Sequence, residues 1–253
     1  MTQVRDTWQS QLRDELVFWD RYLSTRGHKW PDEFAQRVDP QARLAEEEIV
    51  SRITRRQQTV RILDVGSGPM TILGKQLPDR LVEITAVDPL ATDYNKLLDR
   101  NGIVPPVRTQ WCEGECLAKK FKPNSFDFAY SRNALDHAHD PLDVISQMVS
   151  VVRGGGWVIL RHRPNEAEAA KYKGLHQWNF ELRDERYFWI RGHTRSDDVA
   201  TALRPVARVS AGMSGPWLIC AIHKRGPRER RLRRLLGLDR GHLAAPVAGV
   251  ATG

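Results

Sequence analysis

Two stretches of this chain concentrate side chains able to move protons. The first is Asp136-His137-Ala138-His139-Asp140, in which carboxylates flank two histidines. Histidine has the unperturbed pKa for proton transfer near neutrality, and a neighbouring carboxylate orients and biases the ring. His137 is therefore the candidate general base, with Asp136 as its orienter or as a metal ligand. The alternative is that both histidines only cap the helix expected to start at Asp140-Pro141. The second stretch holds His162, Asn165 and Glu166, then His176-Gln177-Trp178-Asn179. Polar groups beside an exposed indole suit a sugar, whose apolar face stacks on the ring while its hydroxyls find partners. His139, His176, Trp178 and the more distant Trp30 are thus candidate substrate contacts, against the alternative of a Trp178 buried in an ordinary strand. Asp136, Glu166 and His176 also offer the oxygen and nitrogen donors of a divalent cation such as magnesium. No spacing among them is diagnostic of a metal.

The elements that must position these groups alternate from residue 60 onward. Apolar runs at 60–65, 82–87, 125–131 and 156–162 read as strands, with a weaker one at 106–111 and a last one at 216–224. Helical spacing occupies 92–100, 141–152 and 194–203, while 174–180 and 185–192 fit strand or loop. Strands separated by helices predict a parallel sheet covered on both faces. Ahead of it, Trp8, Leu12, Leu16, Trp19 and Leu23 share one face of a helix over 5–25, which breaks at His28-Lys29-Trp30-Pro31. A second polar helix is expected from about Gln41 to Ile53.

In such a sheet, ligands bind outside the carboxyl ends of the strands near the topological switch point. The first strand ends in Asp64-Val65-Gly66-Ser67-Gly68-Pro69, and the second in Ala86-Val87-Asp88-Pro89. The glycines let backbone approach a ligand, and an acid closing the second strand can accept both hydroxyls of a ribose. The dinucleotide fingerprint fails, because Thr71 stands at the third glycine and Pro69 intervenes.

The stretch from about 58 to 163 instead resembles the class I S-adenosylmethionine-dependent methyltransferases. The resemblance rests on Asp64-Val65-Gly66-Ser67-Gly68-Pro69, on Asp88, and on Gly114-Glu115-Cys116 followed by Asn124-Ser125-Phe126-Asp127. It extends to Ser131-Arg132-Asn133-Ala134-Leu135-Asp136-His137, and to a helix and turn from Leu142 through Gly154-Gly155-Gly156. It implies an α/β fold: a doubly wound, mostly parallel seven-stranded Rossmann-like sheet with an N-terminal helical cap. It also implies S-adenosyl-L-methionine as cofactor. Asp64 and the amides around Gly66, Ser67 and Gly68 would hold its amino-acid end, and Asp88 its ribose. Pro89 and Leu90 would line the adenine, Glu115 would accept from the adenine amino group with Cys116 alongside, and Asn133 would lie under the sulfonium. Two residues depart from the family pattern. Met70 replaces the last glycine and crowds the loop, and Glu115 replaces an aspartate. More weakly, Gly174-Leu175-His176-Gln177-Trp178-Asn179-Phe180 resembles bacterial sugar and polysaccharide O-methyltransferases, including those acting on methylated mannose chains. The expected activity is O-methylation of a sugar or oligosaccharide hydroxyl by His137. A natural-product or quinol O- or N-methyltransferase stays open, as does a silent cofactor-binding module.

Composition and charge narrow the partners. Of the net charge of +8, residues 224–253 supply +6, with eight Lys and Arg against Glu229 and Asp239. The body is nearly neutral, so no nucleic acid is expected, and an RNA methyltransferase steered by the tail ranks low. A basic amphipathic helix over 225–238 would allow weak contact with an anionic membrane surface, and a homodimer stays open. Three cysteines, Cys112, Cys116 and Cys220, are too few for a disulfide framework. The first residues show no apolar leader and no run is long enough to cross a bilayer, so a cytoplasmic protein is expected. The expected organisation is a cap or lid over 1–57, the methyltransferase domain over 58–224, and a flexible basic tail over 225–253.

Overall fold

The computed structural model describes residues 2–45, 58–229 and 231. Its centre is a seven-stranded sheet in the order β3-β2-β1-β4-β5-β10-β9. The strands are β1 (Thr59–Val65), β2 (Leu81–Asp88), β3 (Gln110–Trp111), β4 (Phe126–Arg132), β5 (Val152–His162), β9 (Ala207–Ser214) and β10 (Trp217–Lys224). Pairing is parallel from β3 through β5, and β10 runs antiparallel to both β5 and β9. The chain enters at β1, in the middle, then winds outward to β2 and β3 before crossing to β4 and β5. The switch point therefore lies between the carboxyl ends of β1 and β4, where both candidate stretches converge.

Near-continuous apolar sequence in β1 and β4 follows from burial on both faces. On one face Leu63, Val65, Ala129, Val158 and Leu160 pack against helix α5 (Pro141–Val151) through Val144, Ile145 and Met148. On the other, Ile62, Phe128, Tyr130 and Ile159 meet Leu44, Leu73 and Leu77. Asp140 caps α5, accepting from the amides of Leu142 at 3.0 Å and Asp143 at 3.2 Å, with Pro141 pre-set for the first turn. The remaining helices are α1 (Thr2–Ser24), α2 (Pro31–Val38), α3 (Ala91–Arg100), α4 (Leu117–Lys120), α6 (Glu166–Ala169) and α7 (Val199–Leu203). Short 3-10 turns lie at Gly114–Cys116 and Leu135–His137.

Several elements differ from the sequence reading. The first helix breaks before His28 as expected, and Pro31 then starts the unforeseen α2, because first-turn N–H groups have no helical acceptor to lose. The helix expected over 41–53 does not begin there: residues 41–45 carry no helix, and Arg43 bridges to Gln76. Residues 46–57 lie outside the described residues, as does the expected tail helix beyond 231. The helix expected over 194–203 is only α7, because Ser196–Asp198 forms β8. That strand closes a small antiparallel sheet with β6 (Asn179–Arg183) and β7 (Tyr187–Arg191), which settles 174–192 as a loop followed by a hairpin. Edge strand β9 was not foreseen, although Ala207, Val209, Ala211 and Met213 alternate with Arg208, Ser210, Gly212 and Ser214. No helix among the described residues is long and apolar enough to cross a membrane.

Candidate active site

A single cavity of about 660 Å³ opens over the carboxyl ends of β1, β2 and β4. Its floor is the loop after β1. Gly66 and Gly68 both have left-handed backbone, with φ of +69° and +65°. A Cβ on Gly66 would stand 2.4 Å from that of Ala134, and one on Gly68 would stand 2.6 Å from the Trp19 ring. Glycine is thus required twice, by conformation and by space. The amides of Gly66 and Ser67 bond the Val87 carbonyl at 2.9 and 3.2 Å, tying the loop to the end of β2. Ser67 and Thr109 complete the lacing, with Thr109 Oγ1 donating to the Gly68 carbonyl at 2.8 Å.

Two buried acids stand at this loop. Asp64 is 2% exposed and accepts from Thr71 Oγ1 at 2.5 Å. Burial pushes its carboxyl up to about 6, against the lowering pull of the Thr71 bond. Asp88 is 8% exposed and accepts from the amides of Leu90 at 2.9 Å and Gly68 at 3.1 Å. Burial again dominates and raises it to about 7. Met70 does not crowd the loop. Its side chain is buried with Tyr22, Leu23, Phe34 and Leu98, and its carbonyl accepts from Arg37. The last position of the glycine motif here anchors the N-terminal helices.

Across the cavity stands a second group, built by two segments 40 residues apart in sequence. His176 Nδ1 lies 2.6 Å from Asp136 Oδ2, and His137 Nε2 lies 3.3 Å from the same oxygen. The two rings meet edge to face with their nitrogens 3.3 Å apart. A strap running alongside residues 136–138 holds them: the Gln177 amide bonds the Asp136 carbonyl at 3.2 Å, and Trp178 Nε1 bonds the Ala138 carbonyl at 3.0 Å. Burial alone would lower the His137 pKa, but Asp136 overrides it and raises it to about 9. The same contacts draw the buried Asp136 well below the usual carboxylate range. Behind them His162 stacks on Phe180 at 4.2 Å, and burial lowers it to about 4. His162 is a neutral packing ring.

The roof is α1 and α2. Trp19 covers Gly68, with Glu15 accepting from its indole N–H at 2.7 Å and Tyr94 against its edge. Phe18 and the half-exposed Trp30 stand 6.2 Å apart at the opening.

Comparison with known proteins bears on this arrangement. The family model described as "Methyltransferase domain" matches residues 63–160, the span from the end of β1 through β5. Over that span the chain is similar to the class I S-adenosylmethionine-dependent methyltransferases. The methyltransferase domain is also similar to the "Ubiquinone biosynthesis O-methyltransferase" of Paracidovorax citrulli, at 30% identity over 112 residues. That match spans 43% of this chain and 46% of the relative. Among solved structures, the CurJ carbon methyltransferase superposes with a TM-score of 0.49 at 13% identity, over 72% of this chain and 53% of its own. A methyltransferase from Aquifex aeolicus gives 0.44 at 14% identity, over 74% and 93%.

Most of the site residues expected from sequence lie on this one cavity. Asp64, Gly66, Ser67, Gly68, Asp88, Pro89, Leu90, Glu115 and Asn133 line it, and so do Trp30, His137, His139 and His176. Asp136 sits behind the two histidines, 1% exposed. Two residues stand apart from the wall. Cys116 faces Glu113, 3.8 Å from its carboxylate. Trp178 packs on Gly192 and the core, so its indole braces the strap instead of meeting substrate. Glu115 also holds backbone, accepting from the amides of His139 at 3.0 Å and Asp140 at 3.2 Å.

The cradle fits the family's cofactor, because the two glycines clear the floor and two buried acids close it. Magnesium fits less well. The three donors brought within 4.8 Å of one another are Asp136, His137 and His176, and Glu166 is not among them. Two imidazoles and one carboxylate suit zinc, manganese or iron better than a cation that demands oxygen. Sequence reasoning missed Trp19 and Tyr94 on the cavity, Thr109 behind its loop, and Arg132, Arg163 and Trp217 on the far wall. Trp19 had a signal, its place on the α1 stripe, but apolar spacing alone reads as packing.

Proposed function

We propose that the protein transfers a methyl group from S-adenosylmethionine to a hydroxyl of a small polar acceptor, a sugar or oligosaccharide, with His176 as general base. The observation that carries this reading is the 2.6 Å contact between His176 Nδ1 and Asp136 Oδ2 on the wall of the cofactor cavity. With Nδ1–H committed to the carboxylate, Nε2 is the basic nitrogen, and a fixed ring needs no reorganisation before accepting a proton. His137, preferred from sequence, suits that task poorly: held near 9 by Asp136, it already carries the proton at neutral pH. Its cation balances the Asp136 carboxylate.

When bound, S-adenosylmethionine supplies an electrophilic methyl that needs only an aligned, deprotonated oxygen. Asp64 and the loop amides would hold its amino-acid end, and Asp88 its ribose hydroxyls. The helices α1 and α2 act as a lid, through Trp19 over the loop and Phe18 and Trp30 at the opening. Those exposed rings beside polar walls support a sugar acceptor, and the relative's name supports oxygen as the methylated atom.

The test is transfer of labelled methyl to a panel of mono- and oligosaccharides, with phenols as comparison. His176→Ala is expected to lower kcat by about 10²–10⁴-fold, the span of general-base catalysis, with affinity for S-adenosylhomocysteine unchanged. Full activity in His176→Ala, with loss in His137→Gln, would return the base to His137 and sink the assignment. EDTA and magnesium are expected to leave the rate alone. Loss in EDTA restored by zinc or manganese would make the three donors a metal centre instead.

A further inference from the structure

We propose that the acceptor carries an oxyanion, a carboxylate or a phosphate, bound by Arg132 and Arg163 on the wall formed with Trp217. This deepens the function proposed above and rests on it. Arg132 ends β4 and stands in register with Arg161 of β5, so two guanidinium groups leave the same face of adjacent strands. Arg163 follows two residues later on that face. Trp217 opens the antiparallel β10 and arrives beside all three. The guanidinium carbons of Arg132, Arg161 and Arg163 lie 4.8, 5.3 and 4.4 Å from its ring centroid.

Like charges in neighbouring register repel, and the indole attracts all three guanidinium groups. Glu33 bonds Arg132 through Oε2 at 3.2 Å, but its Oε1 already serves Arg37 at 2.9 Å. Arg163 is exposed, and the described contact of its guanidinium is the indole. Arg132, Arg163 and Trp217 line the cavity that also holds His176. A planar fork stacked on an aromatic is pre-oriented for bidentate binding of carboxylate or phosphate. An anion placed there pairs with the guanidinium groups of Arg132 and Arg163 on the cavity wall.

The experiment compares glucose, glucuronate and glucose 6-phosphate as acceptors for the full-length protein, alongside their mannose counterparts. A charged acceptor is expected to show kcat/KM at least about ten-fold above its neutral parent, the scale of one charge-assisted bond. The uronate and phosphate arms separate the two oxyanions. Arg163→Ala should raise the KM of the charged acceptor about ten-fold and erase the preference, leaving the KM of S-adenosylmethionine within about two-fold. Arg163→Lys, which keeps charge but not the fork, should fall between. Equal use of neutral and charged sugars would overturn the proposal while leaving methyl transfer intact. A rise confined to the cofactor's KM would assign the arginines to its carboxylate instead. If no sugar is methylated, titration of inorganic phosphate and acetate into protein saturated with S-adenosylhomocysteine decides separately. Binding lost in Arg163→Ala sustains the anion site, and absence of binding to wild type ends it.

Discussion

Asp88 shows how burial tunes a single carboxyl toward its ligand. Two backbone amides hold it, yet the cost of burying charge dominates and sets its pKa at about 7. A ribose hydroxyl bonds the ionised form, so binding should favour loss of this proton. Affinity for S-adenosylhomocysteine, measured by calorimetry, is therefore expected to hold above pH 7 and weaken below it, by up to about ten-fold per pH unit. Asp88→Asn should bind more weakly and show a flatter profile. An identical pH dependence in the variant would assign the titration elsewhere. Asp64, raised to about 6, adds a second and lower step.

At the scale of elements, the strap from His176 to Trp178 holds the Asp136, His137 and His176 side chains together, as the bonds to Val87 hold the glycine loop. Besides the His176–Asp136 contact, two hydrogen bonds tie it to residues 136–138: Gln177 N–H to the Asp136 carbonyl, and Trp178 Nε1 to that of Ala138. Trp178→Phe keeps most of the packing and removes the second bond, a loss of about 1 kcal/mol of stability. Because that bond fixes the residues beside His176, kcat should fall while affinity for S-adenosylhomocysteine stays the same. Parallel loss of both would show that the strap also supports the cofactor loop. The sequence reading placed Trp178 against substrate because it pairs indole with amides. In the fold, β6 starts at Asn179, and the preceding residues are drawn along residues 136–138.

For the whole molecule, the buried Asp136–His137 pair couples stability to pH. His137 is raised from 6.5 to about 9, so its contribution is complete below pH 6.5 and lost as pH climbs through 9. Asp136 is depressed, so its contribution is present above the ordinary carboxylate range and lost on acidification. Wild type should therefore exceed His137→Gln in unfolding free energy most clearly between about pH 5 and 7, by an amount on the order of 1–3 kcal/mol read from denaturant titrations. The gap should close above pH 9. A gap that widens there would reverse the charge assigned to His137.

The sequence by itself determined the sheet's parallel core, the loop at Asp64–Gly68 and the acid at Asp88, because local pattern encodes them. Apolar runs of strand length, glycines where no Cβ fits and a carboxylate at a strand's end are all written within a few residues. Only the tertiary structure decided what long-range pairing decides. His176 reaches Asp136 across 40 positions, and Arg132, Arg163 and Trp217 meet because β10 returns antiparallel beside β5. The proposed choice between two histidines then rests on the 2.6 Å contact of His176 with Asp136 and on the raised pKa of His137, and sequence spacing carries no record of either.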